Sequence, residues 1–334
     1  MKFCKIAAFL LLSVLTLNCE TDFEVNADWK EIAIVYGLLN YGDSVQYLRI
    51  SKAYLNTNTN ALEIARIPDS LYFDSLEVAL EDMGNNNKRT ILFPDFSIAK
   101  DTGLFQSTVN KLYRTPPNFT LVPFHRYRMV ITNIYTGKQT LSETEIVGDP
   151  GLIYPRKGTT VIDFRPNNFN TPVTWNSGIG SKVYDVDIRV YYEEINLADT
   201  NIRTEKFTDM KAARDITTNR ADGGENIGFN ITGKDFYELL SAYVKPDPDI
   251  KRRVRGLSFR YYGGSDDLYT YMSVNKPSLG IVQKKPEFTN VNGGYGLFSS
   301  RNTFDIDPII PVTDSTRYYM KTNPLTSPLN FEYP

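Results

Sequence analysis

The chain has 334 residues, with 37 Lys and Arg against 39 Asp and Glu and a formal charge of −2. That balance lacks the basic excess of a nucleic-acid-binding protein. Two cysteines and one histidine leave no material for a cysteine- or histidine-rich metal site, and a Ser-His-Asp or Cys-His arrangement could be built only around His125. The 22 Tyr and 19 Phe bring the aromatic content to 13%, a composition that favours sheets.

Lys2 and Lys5 precede an apolar run from Ile6 to Leu17. This run is shorter than the ~20 residues that span a bilayer, and it suits the h-region of a secretory signal peptide over residues 1–18. The next cysteine, Cys19, stands where a lipoprotein signal places the residue that is cleaved and acylated, although Asn18 is larger than the residue usual before it. Lipidation of Cys19 is therefore expected, with two or three acyl chains holding the protein on a membrane. Cleavage there leaves 316 residues (334 − 18) and a charge of −4, since Lys2 and Lys5 are lost. Cys4 leaves with the signal, so no disulfide can form within one mature chain. Residues 19–30, which include Glu20, Asp22 and Glu24, read as an acidic tether.

A first β-domain is predicted over residues 31–147. Glu31 to Leu39 is a near-continuous apolar run and reads as a buried strand, closed by Asn40, Gly42 and Asp43. Val45 to Ser51 alternates with period two and completes a hairpin. After a polar connection at Asn56 to Asn60, Ala61 to Ile67 has room for one or two helical turns. Leu76, Val78 and Leu80 alternate with Glu77 and Glu81, and Arg89 to Phe93 and Phe119 to Val122 are further strand candidates. Arg126 to Asn133 meets Gln139 to Val147 through a turn at Thr136 and Gly137. Short strands ending in such a hairpin predict an immunoglobulin or fibronectin type III-like sandwich, closed by the breakers Gly148, Pro150 and Gly151.

A second, antiparallel β domain with one packed helix is predicted over residues 152–304. Thr160 to Phe164 opens it. In Tyr184 to Glu193, Tyr184, Val186, Ile188, Val190 and Tyr192 share one face. Arg203 to Phe207 and Phe229 to Ile231 follow, and then a helix near 233–244. Thr232 is its N-cap, Asp235 completes a capping box, and Phe236, Leu239, Leu240 and Tyr243 make its apolar stripe. Val254 to Tyr262 and Leu268 to Val274 read as two strands around Gly263-Gly264-Ser265-Asp266-Asp267. Residues 305–334 carry Pro308, Pro311, Pro324, Pro328 and Pro334 and are expected to run extended over the surface.

Three stretches, VYGLL at Val35 to Leu39, RISK at Arg49 to Lys52 and TNVNGGYGLFSSR at Thr289 to Arg301, resemble the two-domain Bacteroidota lipoproteins grouped as domain of unknown function 4249. The resemblance implies an outer-membrane lipoprotein with β-rich domains, sometimes encoded near TonB-dependent receptors, and it supplies no catalytic residue. The carboxylates behind Cys19 resemble the signal that sends lipoproteins of this group to the cell surface. Asp43-Ser44-Val45, Asp69-Ser70-Leu71 and Asp74-Ser75-Leu76 resemble its O-glycosylation acceptor.

A search for chemistry finds few candidates. His125, between Phe124 and Arg126, reads as structural or surface-exposed. Two carboxylates would suffice for a glycosidase, but no Asp/Glu pair stands out. Asp185-x-Asp187, Asp247-x-Asp249 and Asp305-x-Asp307 have an oxygen-ligand spacing without the twelve-residue calcium-loop pattern. Asn292-Gly293-Gly294-Tyr295-Gly296 lacks the Gly-Lys-Ser/Thr of a phosphate loop and reads as a tight turn. Tyr261, Tyr262, Tyr269 and Tyr271 flank the glycine loop at 263–267 and are candidate ligand-binding residues, able to stack on sugar rings if they face outward. Alternation would put Tyr269 and Tyr271 on one face. No cofactor, metal or nucleic-acid partner is expected. The sequence predicts a non-catalytic lipid-anchored envelope protein, a binding or accessory component of an outer-membrane complex, with surface carbohydrate binding as the alternative and glycoside hydrolysis behind both.

Overall fold

The computed structural model describes residues 32–53, 71–99, 109–156, 158–165, 170–277, 287–306 and 309–333. The signal peptide, Cys19, the acidic tether and the helical turns expected near Ala61 to Ile67 lie outside the described residues.

The chain is mainly β. Its first sandwich holds β1 (Ile32–Asn40), β2 (Tyr47–Ala53), β3 (Leu76–Asp82), β4 (Lys88–Asp95), β5 (Leu112–Arg114), β6 (Arg126–Asn133) and β7 (Gln139–Glu145). Strands β1-β2-β5 lie side by side, as do β4-β3-β6-β7. In chain-order letters these are A-B-E and C′-C-F-G, a Greek key of the immunoglobulin kind. Strand β4 turns the corner, because Val78 to Asp82 pair with its first half and Leu112 to Arg114 with its second. Alternation chooses the inner face: Val35 and Leu39, Leu48 and Ile50, Val78 and Leu80, and Tyr127, Met129 and Ile131 all enter one core. Phe119 to Val122, expected as a strand, is not one. Pro116, Pro117 and Pro123 bracket it and withhold ladder donors, and the Val122 amide instead donates to the Tyr127 hydroxyl at 3.1 Å.

The second sandwich places β10 (Val183–Asn196), β11 (Arg203–Thr217) and β13 (Ile250–Gly264) against a small sheet of β8 (Gly151–Tyr154), β9 (Asn170–Asn176) and β12 (Asn226–Thr232). The five alternating residues of β10 from Tyr184 to Tyr192 are buried as their period requires. Trp175 of β9, fully buried, meets Tyr184 and Tyr261 edge-on at 5.4 and 5.1 Å. Sequence reading missed β9, whose alternation of Thr171, Val173 and Trp175 is masked by Pro172 and flanking asparagines.

Helix α1 (Gly233–Tyr243) closes this core with Phe236, Tyr237 and Leu240, and its capping box forms as the sequence predicts. The Thr232 hydroxyl accepts from the Asp235 amide at 3.1 Å, and an Asp235 carboxylate oxygen accepts from the Thr232 amide at 3.0 Å. Thr232→Ala is expected to cost about 1 kcal/mol, read as a shift in the urea midpoint at unchanged slope. No shift would mean that packing alone holds the helix start.

Strand β14 (Gly294–Asp305) joins the two sandwiches. Its residues Gly294 to Arg301 run parallel to β1 from Ala33 to Asn40, while Arg301 to Asp305 pair antiparallel with β13. One eleven-stranded sheet therefore runs through the molecule, and Leu141 and Asn292 exchange backbone hydrogen bonds of 3.0 and 2.8 Å where β7 meets the start of β14. A division at Val147 would give all of β14 to the second domain; the structure gives Phe298 and Val291 to the first core. The glycines from 293 to 296 are only partly a turn. A Cβ on Gly294 would lie 2.6 Å from the Ala33 carbonyl oxygen, and one on Gly296 only 1.9 Å from that of Val35, so they allow β14 to approach β1.

The described residues of 305–334 do not run extended over the surface. Ile310, Val312, Met320, Leu329 and Phe331 enter the second core, and α3 (Asp314–Thr322) starts on Thr313, whose hydroxyl accepts from the Thr316 amide at 3.2 Å. Pro311, Pro324 and Pro328 interrupt the segment without preventing burial of the apolar residues between them. Leu268 to Val274, expected as a strand, belongs to α2 (Asp266–Asn275). Ser265 with two aspartates is a helix start, and the seven residues were too few to separate the two periods.

Candidate functional site

Helix α2 lies across the outer face of the sheet where β1, β14 and β13 adjoin, with none of its residues fully buried. Two close contacts fix it. The Ser265 and Ser299 hydroxyls are 2.5 Å apart, and the Asn290 side-chain amide donates to Asp267 at 2.8 Å. Gly264 lets it sit close, since a Cβ there would come within 3.1 Å of Leu268.

A hollow opens on each side of this helix. The one toward the first sandwich, about 450 Å³, is lined by Tyr36, Leu38, Tyr47, Asp43, Tyr271 and Met272 among others. The one toward the second, about 430 Å³, takes in Asp185, Asp187, Lys211, Arg214 and Tyr262. Both share Leu38, Leu268, Met272 and Arg301, so they form one groove along the seam. The apolar residues give contact area, and Tyr36 and Tyr271 meet edge-on at 6.3 Å. The neighbouring Tyr36 hydroxyl, together with partial burial, holds the Tyr271 phenol above its ordinary pKa.

Charges in the second hollow are mostly spent on one another. Asp187 takes Arg214 at 2.5 Å and the Tyr262 hydroxyl at 3.3 Å, while Asp185 lies 3.6 Å from Arg214 and accepts the Asp215 amide. Arg301 differs: it is exposed at the centre of the groove, and its guanidinium has no hydrogen-bond or ion-pair partner among the described residues. Its planar fork of donors suits a carboxylate or another bidentate acceptor. A further hollow of about 340 Å³ holds Arg253, Arg255 and Arg317, but Glu332, Glu193, Glu205 and Asp314 pair with these cations.

The four candidate tyrosines separate. Tyr261 is fully buried against Trp175, with burial pushing its phenol up, and cannot meet a ligand. Tyr262 and Tyr271 line the groove, one in each hollow, and both are half-buried. Tyr269 lines neither hollow and is also half-buried. On a helix, residues two apart point about 200° apart, so Tyr269 and Tyr271 do not share a face as the strand reading required. Tyr36, Leu38, Tyr47 and Arg301 were missed. The run from Glu31 to Leu39 is apolar on both sides of the strand, which concealed an outer face where Tyr36 and Leu38 are exposed.

Elsewhere the candidate residues have structural work. His125 Nδ1 lies 2.8 Å from Asp82, which also accepts from the Gly84 amide and the Tyr127 hydroxyl, and these bonds close the β3–β4 turn. Burial pushes the Tyr127 phenol up to about 12. Asp305 is bound by both arms of Arg260, at 2.5 and 2.7 Å, and Asp247 accepts the Asp249 amide at 3.0 Å. Asp307 lies outside the described residues. Among the described residues no group of three His, Cys, Asp or Glu is placed to hold a metal ion, and no helix there is long and apolar enough to cross a membrane.

No family model matches the chain, and no curated protein matches its sequence. A solved structure with similarity is the C-terminal globular domain of an oligosaccharyltransferase from Pyrococcus abyssi. It is 9% identical with a TM-score of 0.22, and the match covers 68% of this chain and 45% of that one.

Proposed function

We propose that this chain is a lipid-anchored envelope protein that acts by binding, with the seam groove as its binding surface, as an accessory component of an outer-membrane complex beside a TonB-dependent transporter. The observation that carries the binding reading is the Arg301 guanidinium, without a partner among the described residues, between two hollows lined by exposed aromatic and apolar side chains. Such a site combines contact area with one orienting charge. The anchor reading is supported by the apolar run before Cys19 and the acidic stretch after it.

Detergent extracts of cells carrying the tagged wild-type chain are expected to yield a co-purifying barrel protein, at least tenfold less of it with Arg301→Glu and Tyr36→Ala combined. Undiminished recovery with the altered groove would remove the groove from the reading. Carbohydrate binding is the second reading, favoured by Tyr36, Tyr47 and Tyr271 lining one hollow. It requires glycan binding that is lost with Tyr271→Ala and kept with Tyr269→Ala. Palmitate labelling that depends on Cys19 tests the anchor separately.

A further inference from the structure

The end of the first sandwich from which the chain leads back toward Cys19 carries an unusual hairpin tip. Strand β1 begins there at Ile32. Ala33 pairs with Gly294, Asn292 with Leu141, and Leu76 with Asn133, so the starts of β1, β14, β7 and β3 and the end of β6 share this end. A small hollow lined by Ala33, Asn133, Lys138 and Gly293 joins them directly.

Between β6 and β7, Ile134 and Tyr135 project from this end with exposures of 59% and 78%, Tyr135 being the most exposed large hydrophobic residue described. Their display is fixed by the turn. The Asn133 side-chain oxygen accepts from the Tyr135 and Thr136 amides at 3.0 and 3.1 Å, and the Gly137 amide donates to the Asn133 carbonyl at 2.8 Å. Gly137 takes the positive φ of 66° that the turn needs. An aliphatic side chain beside an amphipathic phenol, held rigidly outward, has the chemistry of a membrane-interface contact.

We propose that this tip docks the first sandwich onto the lipid bilayer surface that holds the anchor, with Ile134 in the acyl boundary and Tyr135 at the headgroups. The inference rests on the anchor reading. Residues 20–31 are twelve in number and reach at most about 40 Å when fully extended, so the described end stays near the membrane. Two side chains alone bind a bilayer weakly. Anchored within that reach, they act at a high effective concentration, and the ordered turn spares them the cost of immobilisation.

The test uses the full acylated chain in vesicles of phosphatidylethanolamine and phosphatidylglycerol with brominated acyl chains. Cys4 is removed with the signal and Cys19 carries lipid, so a fluorophore attaches uniquely at Thr136→Cys, or at Thr200→Cys in the β10–β11 loop at the opposite end of the molecule. Bromine quenching is expected at position 136 and not at 200, and it should fall at least twofold when Ile134→Ser and Tyr135→Ser are added. Both changes lie on an exposed tip, and an unchanged unfolding midpoint verifies the fold. Palmitate on Cys19 with no more quenching at 136 than at 200 overturns the inference and leaves the anchor standing; the tip is then a surface for a protein partner. Equal quenching with and without the two side chains also overturns it. Absence of palmitate overturns the anchor reading and the inference with it.

Discussion

Gly296→Ala is expected to destabilise the protein by about 3–5 kcal/mol, through backbone strain and overpacking together. Gly296 has a φ of 115°, and its added Cβ would fall 1.9 Å from the Val35 carbonyl oxygen, a backbone atom that cannot rotate away. The substitution strikes the strand that, among the described residues, pairs with both sandwiches. Urea unfolding should show the loss by circular dichroism and, with Trp29→Phe as the common background, by the fluorescence of buried Trp175, which reports the second core. Gly137→Ala is the control, since Gly137 also has positive φ but nothing lies within 4 Å of its Cβ. About 1 kcal/mol is expected there. Equal losses at the two sites would show that the approach of β14 to β1 is not what Gly296 provides.

Arg252→Ala is expected to cost about 3 kcal/mol and to loosen the C-terminal segment. Arg252 is buried, reaches Glu194 at 2.9 Å and donates to the Leu329 carbonyl at 2.7 Å. Its backbone takes part in two more bonds, from its own amide to Asn330 and from the Glu332 amide to its carbonyl. Removing the guanidinium leaves Glu194 with Lys206 as its remaining ion-pair partner, at 2.8 Å and half open to solvent. Breaking a buried pair from one side costs more than the pair contributes. Trypsin should then cut at Arg317 and Lys321 at least tenfold faster than in the wild type. Adding Glu194→Gln should recover part of the stability by removing a buried charge that keeps only the Lys206 partner. A cutting rate unchanged by Arg252→Ala would mean that Met320, Leu329 and Phe331 hold the segment without help.

Legibility followed the distance over which each signal acts. The inner faces of β10 and β3 are visible in the sequence because alternate residues on a half-buried strand carry the pattern directly. The cap of α1 was visible because Thr232 and Asp235 satisfy each other within four residues. By contrast, α2 imitates a strand in the sequence: Tyr269 and Tyr271, two apart, match the strand period in a short stretch, and what holds α2 is Ser299 and Asn290, far along the chain. The density of prolines in the tail resembles a surface segment, whereas burial of Ile310 and Phe331 depends on β13 offering backbone partners at Leu257 and Arg252, and burial of Val312 on the partner it finds at Ile162.

The candidate site was legible only in part. Tyr262 and Tyr271 flank the glycine loop in the sequence, and both reach the groove. Tyr261, beside the same loop, alternates into the core instead. Local sequence by itself determined a mainly β chain, the inward face of its clearest strands and one capped helix. Only the tertiary structure decided that β14 runs beside β1, a pairing between residues more than 250 positions apart. That pairing brings Tyr36, Leu38 and Arg301 together, because a parallel neighbour is selected by close backbone approach and shared cores, and no local period encodes it.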